Sequence, residues 1–455
     1  MNDSIRTGSA AHSIGPGGDI DALPGPQPDS ADAGGLSAGD LSASATTVHR
    51  ADHPDSLAAL ALRSAPSVAA LQERIAAARE MARSAGPLPD PMISFGLNGE
   101  RYPGTMLGAD PMVMGTVMLN QAIPFPGKRG LQREAAEAEA TARQSEWTRM
   151  RRQLAAEVRG MYADLYAMDA MRMSLQESRT SLALLESSAA SRYAAGLSMQ
   201  ADLIEVQLQR SRITEQLDDI EAERTAMTSR LNAMLDRAAD TPVRTGSLAG
   251  LADRPGTRAA TGALTSGAEA IANAPDVDVR RRAVEVARLR LAVARREAWP
   301  NVAAGVEYGW RNGLPPMVTA TLGIELPVWK TGKQDAEARA AAHDLEMARQ
   351  DLRMAEAEAR GEAQRLRSAR DTATRQVDLY RLEIAPRSAQ LLESARTSYA
   401  AGTGSGIRQT VEAFRMVIET RAGLARREAD LYKAEIALAA LTGTDPLVPS
   451  EGESR

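Results

Sequence analysis

The side chains best suited to chemistry in this chain carry sulfur. Met92, Met106, Met112, Met114 and Met118 crowd into one short span, and thioethers are ligands for soft ions such as Cu(I). Methionine is also a flexible apolar filler, and strand alternation is expected to turn several of these five toward an apolar surface, so filling is the preferred reading. The four histidines, His12, His49, His53 and His343, show no metal-ligand spacing. Cysteine is absent, which removes disulfides, thiolate metal sites, cysteine nucleophiles and lipid-bearing cysteines. With no Gly-rich phosphate loop and no nucleophile-base arrangement, neither an enzyme nor a cofactor is expected.

A second constellation is a repeated turn. Tyr193-Ala-Ala-Gly196 is echoed by Tyr399-Ala-Ala-Gly402, with Asp202 and Glu205 following the first and Glu412 the second. Each glycine permits the positive φ of a tight helix-to-helix connection. Taken singly, each carboxylate reads as an ordinary solvated helix position.

These turns need long helices to hold them. From Trp147, the positions Met150, Leu154, Val158, Met161, Leu165, Met168, Met171 and Leu175 alternate in steps of three and four, a period of about 3.5 that marks a coiled coil. This outbound helix, launched at Gly127, has roughly 65 residues and so a length on the order of 100 Å. Val206, Ile213, Leu217, Ile220, Met227, Leu231 and Met234 keep the register on the way back, interrupted by Arg210 and Arg224. The two helices are expected to pair.

Composition agrees with thin helical layers. Hydrophobic residues make up 44% of the 455, but only 3% are aromatic, so Ala, Leu and Met must do the packing. A net charge of -5 leaves no basic footprint for nucleic acid, and the charges alternate along solvated helix faces. No apolar run approaches 18 residues, so any membrane crossing must use strands. Residues 1–51 are rich in Gly, Ser, Ala, Asp and Pro, are expected to be disordered, and show no secretory signal.

A helix is expected from Asp55, its cap, to about Ser84, divided at Ala65-Pro66. Two short alternating segments follow, Met92 to Asn98 and Met112 to Ile123. The plan then repeats. Ala65-Pro66 is echoed by Ala274-Pro275, Pro91 by Pro300, Pro124 by Pro327 and Gly127-Lys128 by Gly332-Lys333, a spacing of about 205 residues that far exceeds solenoid periods. One ancestral half has been duplicated. A second long helix is expected over Gly332 to Ala400 and a second return over Ile407 to Leu441. In each half the short helix and the return helix, stacked end to end, are long enough to line the long one.

The strands of the second half are the clearest. Val302, Ala304, Val306, Tyr308 and Trp310 alternate with polar or small residues that include Glu307, and Val318, Ala320, Leu322, Ile324 and Leu326 alternate with Thr319, Thr321, Gly323 and Glu325. Strands of about 9 to 10 residues with one apolar and one polar face suit a transmembrane barrel, in which Glu307, Thr319, Thr321 and Glu325 would face the lumen. A half-buried soluble sheet has the same pattern; the barrel is preferred because four strands beside such helices have no evident core to cover.

This order of elements, with Pro124-Phe-Pro-Gly-Lys128 and the Tyr-x-x-Gly turns, resembles the TolC-like outer-membrane efflux proteins of Gram-negative bacteria over about Asp55 to Gly443. The segments 90–96 (Asp-Pro-Met-Ile-Ser-Phe-Gly) and 196–203 (Gly-Leu-Ser-Met-Gln-Ala-Asp-Leu) look most like its heavy-metal branch, which is associated with RND-type pumps. The resemblance implies a mainly α fold with a small β part: duplicated coiled-coil hairpins forming a tunnel, and four strands per protomer contributing to a twelve-stranded barrel in a homotrimer. It implies tips at Ala195, Gly196, Leu197, Ala401, Gly402 and Thr403 that meet a periplasmic adaptor, and an aperture gated by Asp202, Glu205 and Glu412. Gly404-Ser-Gly-Ile-Arg408 departs from the family's usual run after the second tip.

The expected organisation is a disordered segment over 1–51, a first repeat over 52–237, a linker over 238–265, a second repeat over 266–442 and a flexible tail over 443–455. The expected function is the outer-membrane exit duct of a tripartite efflux pump, passively conducting substrates that include heavy-metal ions, with outer-membrane lipid, an adaptor and indirectly an inner-membrane pump as partners. The alternative is a soluble coiled-coil scaffold, for which apolar-out, polar-in hairpins at matched places would be superfluous.

Overall fold

Proline and glycine decide where each element starts and stops. The computed structural model describes residues 52–98, 114–248, 274–311, 313–401, 406–445 and 447–448. Residues 1–51, with His12 and His49, lie outside the described residues, as do Met106, Met112, Gly402 and Thr403.

Helix α1 (Pro54–Ser64) and helix α2 (Pro66–Ser84) are separated at Ala65, which Pro66 forces out of the helical region to φ -62°, ψ 122°. The cap of α1 is His53 rather than Asp55. Pro54 fills the first helical position, and His53 Nδ1 accepts from the Asp55 amide at 3.2 Å. Asp55 thereby falls in the first turn, where its carboxylate meets Arg159 at 2.8 Å.

Strands β1 (Met92–Asn98) and β2 (Met114–Ile123) form the first hairpin, and helix α3 (Lys128–Ala194) runs outward for 67 residues before α4 (Gln200–Met234) returns. The seam is the one that the heptads predict. Leu154, Val158, Met161, Leu165 and Leu175 of α3 and Val206, Ile213, Leu217 and Leu231 of α4 are buried, with Met168, Met171, Ile220, Met227 and Met234 half-buried against them. The two arginines that interrupt the return helix have partners on the outbound one. Arg224 donates twice to Asp169, at 2.7 and 3.2 Å, and Arg210 pairs with Glu186. Polar pairs of this kind set the register of an otherwise uniform apolar seam.

The second half repeats the plan with α5 (Pro275–Glu297), β3 (Asn301–Arg311), β4 (Leu314–Glu325), α6 (Gln334–Leu379), α7 (Ala385–Ala401) and α8 (Ile407–Thr442). The second long helix is not continuous as expected: a π-helical turn, Tyr380–Ile384, divides α6 from α7. Pro386 supplies the cause, since it has no amide hydrogen and its ring crowds the carbonyl of Leu382. The helix widens instead, and the Ala385 amide reaches back five residues to the Tyr380 carbonyl.

In both halves the shorter helices lie end to end along the long one. The Ser64 hydroxyl at the α1–α2 break donates to the carbonyl of Leu235, at the end of α4, at 2.8 Å. In the second half Leu441, near the end of α8, packs beside Ala274 and Val277 at the start of α5, against Ala355 and Ala359 of α6. The start of the tail, expected to be flexible, is anchored: Asp445 is fully buried and accepts from Arg159 at 2.7 and 3.2 Å, and Val448 is buried too.

The four strands form one antiparallel sheet in the order β1-β2-β3-β4, so the pairing of β2 with β3 joins the two halves. Just below it, Lys128 at the start of α3 donates to Glu297 at 3.0 Å and to Asn301 at 2.9 Å. Among the described residues no helix is long and apolar enough to cross a membrane.

Candidate functional site

The register of the sheet sorts its side chains onto two faces. Ile93, Phe95 and Leu97 of β1 stand beside Leu119, Val117 and Gly115 of β2; these adjoin Val306, Tyr308 and Trp310 of β3, and Val306 and Tyr308 adjoin Ala320 and Val318 of β4. This face is apolar and bare. Phe95 is 79% exposed and Leu322 76%, with Ile93, Val306, Val318 and Ile324 each more than half exposed. Strands β2, β3 and β4 have 10, 11 and 12 residues, enough to cross a bilayer at a tilt. A large exposed apolar surface of this kind marks contact with a membrane or a partner.

The opposite face is polar. It carries Ser94, Thr116, Asn120, Asn301, Glu307, Thr319, Thr321 and Glu325. Glu307 stands between Met118 and Thr319, Thr321 lies opposite Gly305, and Glu325 accepts from the Asn301 side chain at 3.0 Å. The face gathers all four expected residues, but Glu307 and Glu325 occupy separate levels. Alternation is expected to turn several of the five methionines toward the apolar surface, yet the three on described strands, Met92, Met114 and Met118, all have the parity of Ser94, Thr116 and Asn120 and stand on the polar face.

Where the sheet meets the helices, an aromatic collar marks the boundary. Phe125, between β2 and α3, and Trp299, between α5 and β3, stack with ring centroids 4.9 Å apart, and the Arg296 guanidinium lies 5.1 Å from the first ring and 5.7 Å from the second. Arg296 also donates to the Pro126 carbonyl at 2.8 Å. An indole beside a cation suits a membrane–water interface. Sequence inspection missed this pairing because its members lie far apart in the chain.

At the far end the first turn closes as a Schellman motif. Gly196 takes φ +70°, its amide donates to Tyr193 and the Leu197 amide to Arg192, at 2.9 and 2.8 Å. Ala195 is the C-cap, and Leu197 and Met199 project with 70% and 75% exposure. In the second half Ala401 ends α7 in an exposed position. The tips share a core: Leu182, Ala189 and Val206 from the first hairpin pack with Ile407, Val411 and Phe414 from the second.

The acidic residues behind the tips have local partners. Asp202 accepts from the Met199 amide at 3.3 Å and so caps α4, while Glu412 pairs with Arg415 at 2.7 Å. Asp202 and Glu205 are half-buried, and Glu412 is exposed. Higher in the bundle, the Tyr166 hydroxyl donates to Glu428 at 2.6 Å, and Arg381, inside the π-helical turn, donates to the other oxygen at 2.7 Å. Burial, and then the hydrogen bond to Glu428, push the Tyr166 hydroxyl far above the ordinary tyrosine range, so it remains a donor. Among the described residues, no group of three or more His, Cys, Asp or Glu converges to hold a metal.

The fold has relatives among solved structures. The outer membrane protein VceC of Vibrio cholerae aligns over 86% of this chain and 96% of its own, with a TM-score of 0.72 and 17% identity. CusC, whose structures concern transmembrane channel formation, aligns over 86% and 92% at TM-score 0.73 and 15% identity. The CmeC outer membrane channel of Campylobacter jejuni aligns over 86% and 85% at TM-score 0.70 and 13% identity. A search of the curated proteins finds no significant match. The family model described as "Outer membrane efflux protein" matches residues 57–236 and 267–444, one span in each half. With both halves of its helical and strand plan matched in this way, the chain belongs to the outer membrane efflux protein family.

Proposed function

We propose that three copies of this chain form the exit duct of a tripartite efflux pump in the outer membrane of a Gram-negative bacterium. One observation carries the reading: a four-stranded sheet whose apolar face is bare and whose other face holds Glu, Thr and Asn. Alone, such a sheet has two unpaired edges, β1 and β4. Three sheets joined edge to edge leave none, give lipid the apolar face, and put Glu307, Thr319, Thr321 and Glu325 on an aqueous lumen.

The duct makes and breaks no bond. An inner-membrane RND-type pump supplies energy and selects the cargo, a periplasmic adaptor seats on Ala195–Leu197 and on residues 401–403, and Asp202, Glu205 and Glu412 ring the periplasmic aperture. The cargo includes heavy-metal ions, a reading supported by the segments 90–96 and 196–203.

The test uses the natural absence of cysteine. Single spin labels at Val306 and Leu322 should collide with oxygen dissolved in lipid, whereas labels at Glu307 and Thr321 should collide with a water-soluble nickel reagent. Water exposure at all four positions would sink the barrel and leave a soluble scaffold.

A further inference from the structure

The four methionines of the described strands, Met92, Met114, Met118 and Met317, all stand on the polar face. None is on the apolar face, where a filler side chain belongs. Their arrangement along the sheet is regular. Same-face levels lie two residues, or about 7 Å, apart, and four consecutive levels each hold one thioether. Met92 lies beside Asn120; Met118 stands between Ser94 and Glu307; Met317 stands at the level of Thr116, opposite Gly309; Met114 stands between Asn98 and Arg311.

Two of the four flank the same glycine. Met114 leans across Gly309, with its sulfur 2.6 Å from where a Cβ would sit, and Met317 is the ladder partner of that glycine on the next strand. A side chain at position 309 would displace the Met114 thioether. There is no core here to fill, since Met92 is 60% exposed and Met317 43%.

We propose that this file of thioethers is a transit site for soft monovalent metal cations, Cu(I) and Ag(I). The proposal rests on the polar face being the lumen of the duct. Neutral, polarisable sulfur prefers such ions to hard ones, and the Glu307 carboxylate next to Met118 adds the negative potential that draws a cation in. One thioether per level from each of three protomers gives successive weak sites, which is what conduction requires: attractive enough to enter, dispersed enough to leave.

The experiment uses the full-length trimer in chloride-free detergent buffer, with Ag(I) nitrate as the probe. Cysteine at Thr321 should react with a membrane-impermeant thiol reagent in lipid vesicles and cysteine at Val306 should not; failure of that pattern removes the lumen and the proposal with it. If the pattern holds, peroxide footprinting of the cysteine-free protein isolates the thioether claim. Ag(I) should slow sulfoxidation of Met92 and Met317 at least threefold, leaving Met81, Met347 and Met354, exposed on the helices, unchanged. Equal rates with and without Ag(I), or equal protection of all five, would overturn it. The volume-conserving M92L/M114L/M118L/M317L variant should bind Ag(I) at least tenfold more weakly by calorimetry, and unchanged affinity in a trimeric variant would overturn it as well.

Discussion

The Arg192 guanidinium lies over the ring of Tyr399, 5.1 Å from its centroid, and donates to the Tyr399 carbonyl at 3.4 Å. In the sequence Arg192 precedes Gly196 by four residues and Tyr399 precedes Gly402 by three, so this contact couples the ends of α3 and α7. A cation over an aromatic face contributes about 0.5–2 kcal/mol depending on how well water is excluded. Arg192→Ala should therefore leave the fold intact while broadening the distance distribution between spin labels at Leu197 and Ala401. An unchanged distribution would mean that the shared apolar core below the tips holds them by itself.

The helical plan was legible because it is periodic. Leu154, Val158 and Leu165 recur at coiled-coil spacing, and the same residues are buried in the structure; landmarks such as Pro124 and Pro327 exposed the duplication. What escaped was of three kinds. Contacts such as Phe125 with Trp299 and Arg192 with Tyr399 join distant parts of the chain, and no local pattern encodes them. Other features were local but overruled. Pro386 sits among good helix formers, and the neighbouring turns keep the helix going by widening rather than ending. The methionines are a third case, since parity with Ser94, Thr116 and Asn120 already set their face and residue type argued for the other one.

The anchored start of the C-terminal tail should matter more for stability than its position suggests. Arg159 and Asp445 are 5% and 0% exposed, so neither is rehydrated easily when its partner goes. Removing one member of a buried pair costs about 3–5 kcal/mol. Asp445→Ala should fall near the lower figure because Asp55 still neutralises Arg159. Urea unfolding of the detergent-solubilised protein would measure it, and a loss below about 1 kcal/mol would mean that water reaches Arg159 in the native state.

Lys128 ties the two halves together beneath the sheet, and its environment is asymmetric. The lysine side chain is 3% exposed, whereas that of Glu297 is 37% exposed and can take up water once the lysine is gone. The expected cost of Lys128→Met is accordingly smaller, about 1–2 kcal/mol. Adding Glu297→Gln should recover part of that loss. Strict additivity in a double-mutant cycle would show that Asn301, and not Glu297, is the partner that counts.

The π-helical turn places Tyr380 against Gly423 of α8, where a Cβ would come within 2.6 Å of the tyrosine ring. Helix-interior glycine is ordinarily a weakness, and replacing it with alanine in an open position gains up to about 1 kcal/mol. Here the sign should reverse. The ring has the widened turn behind it, so Gly423→Ala must push α7 and α8 apart or drive Tyr380 off its rotamer, at a cost of about 1–3 kcal/mol. Tyr380→Ala in the same chain removes the obstacle and should restore the ordinary helix-propensity gain of Gly423→Ala. Thermal unfolding of the two single variants and the double variant decides the matter. Destabilisation by Gly423→Ala that persists without the Tyr380 ring would place the constraint in the helix backbones, and the π-helical turn would then owe its position to Pro386 alone.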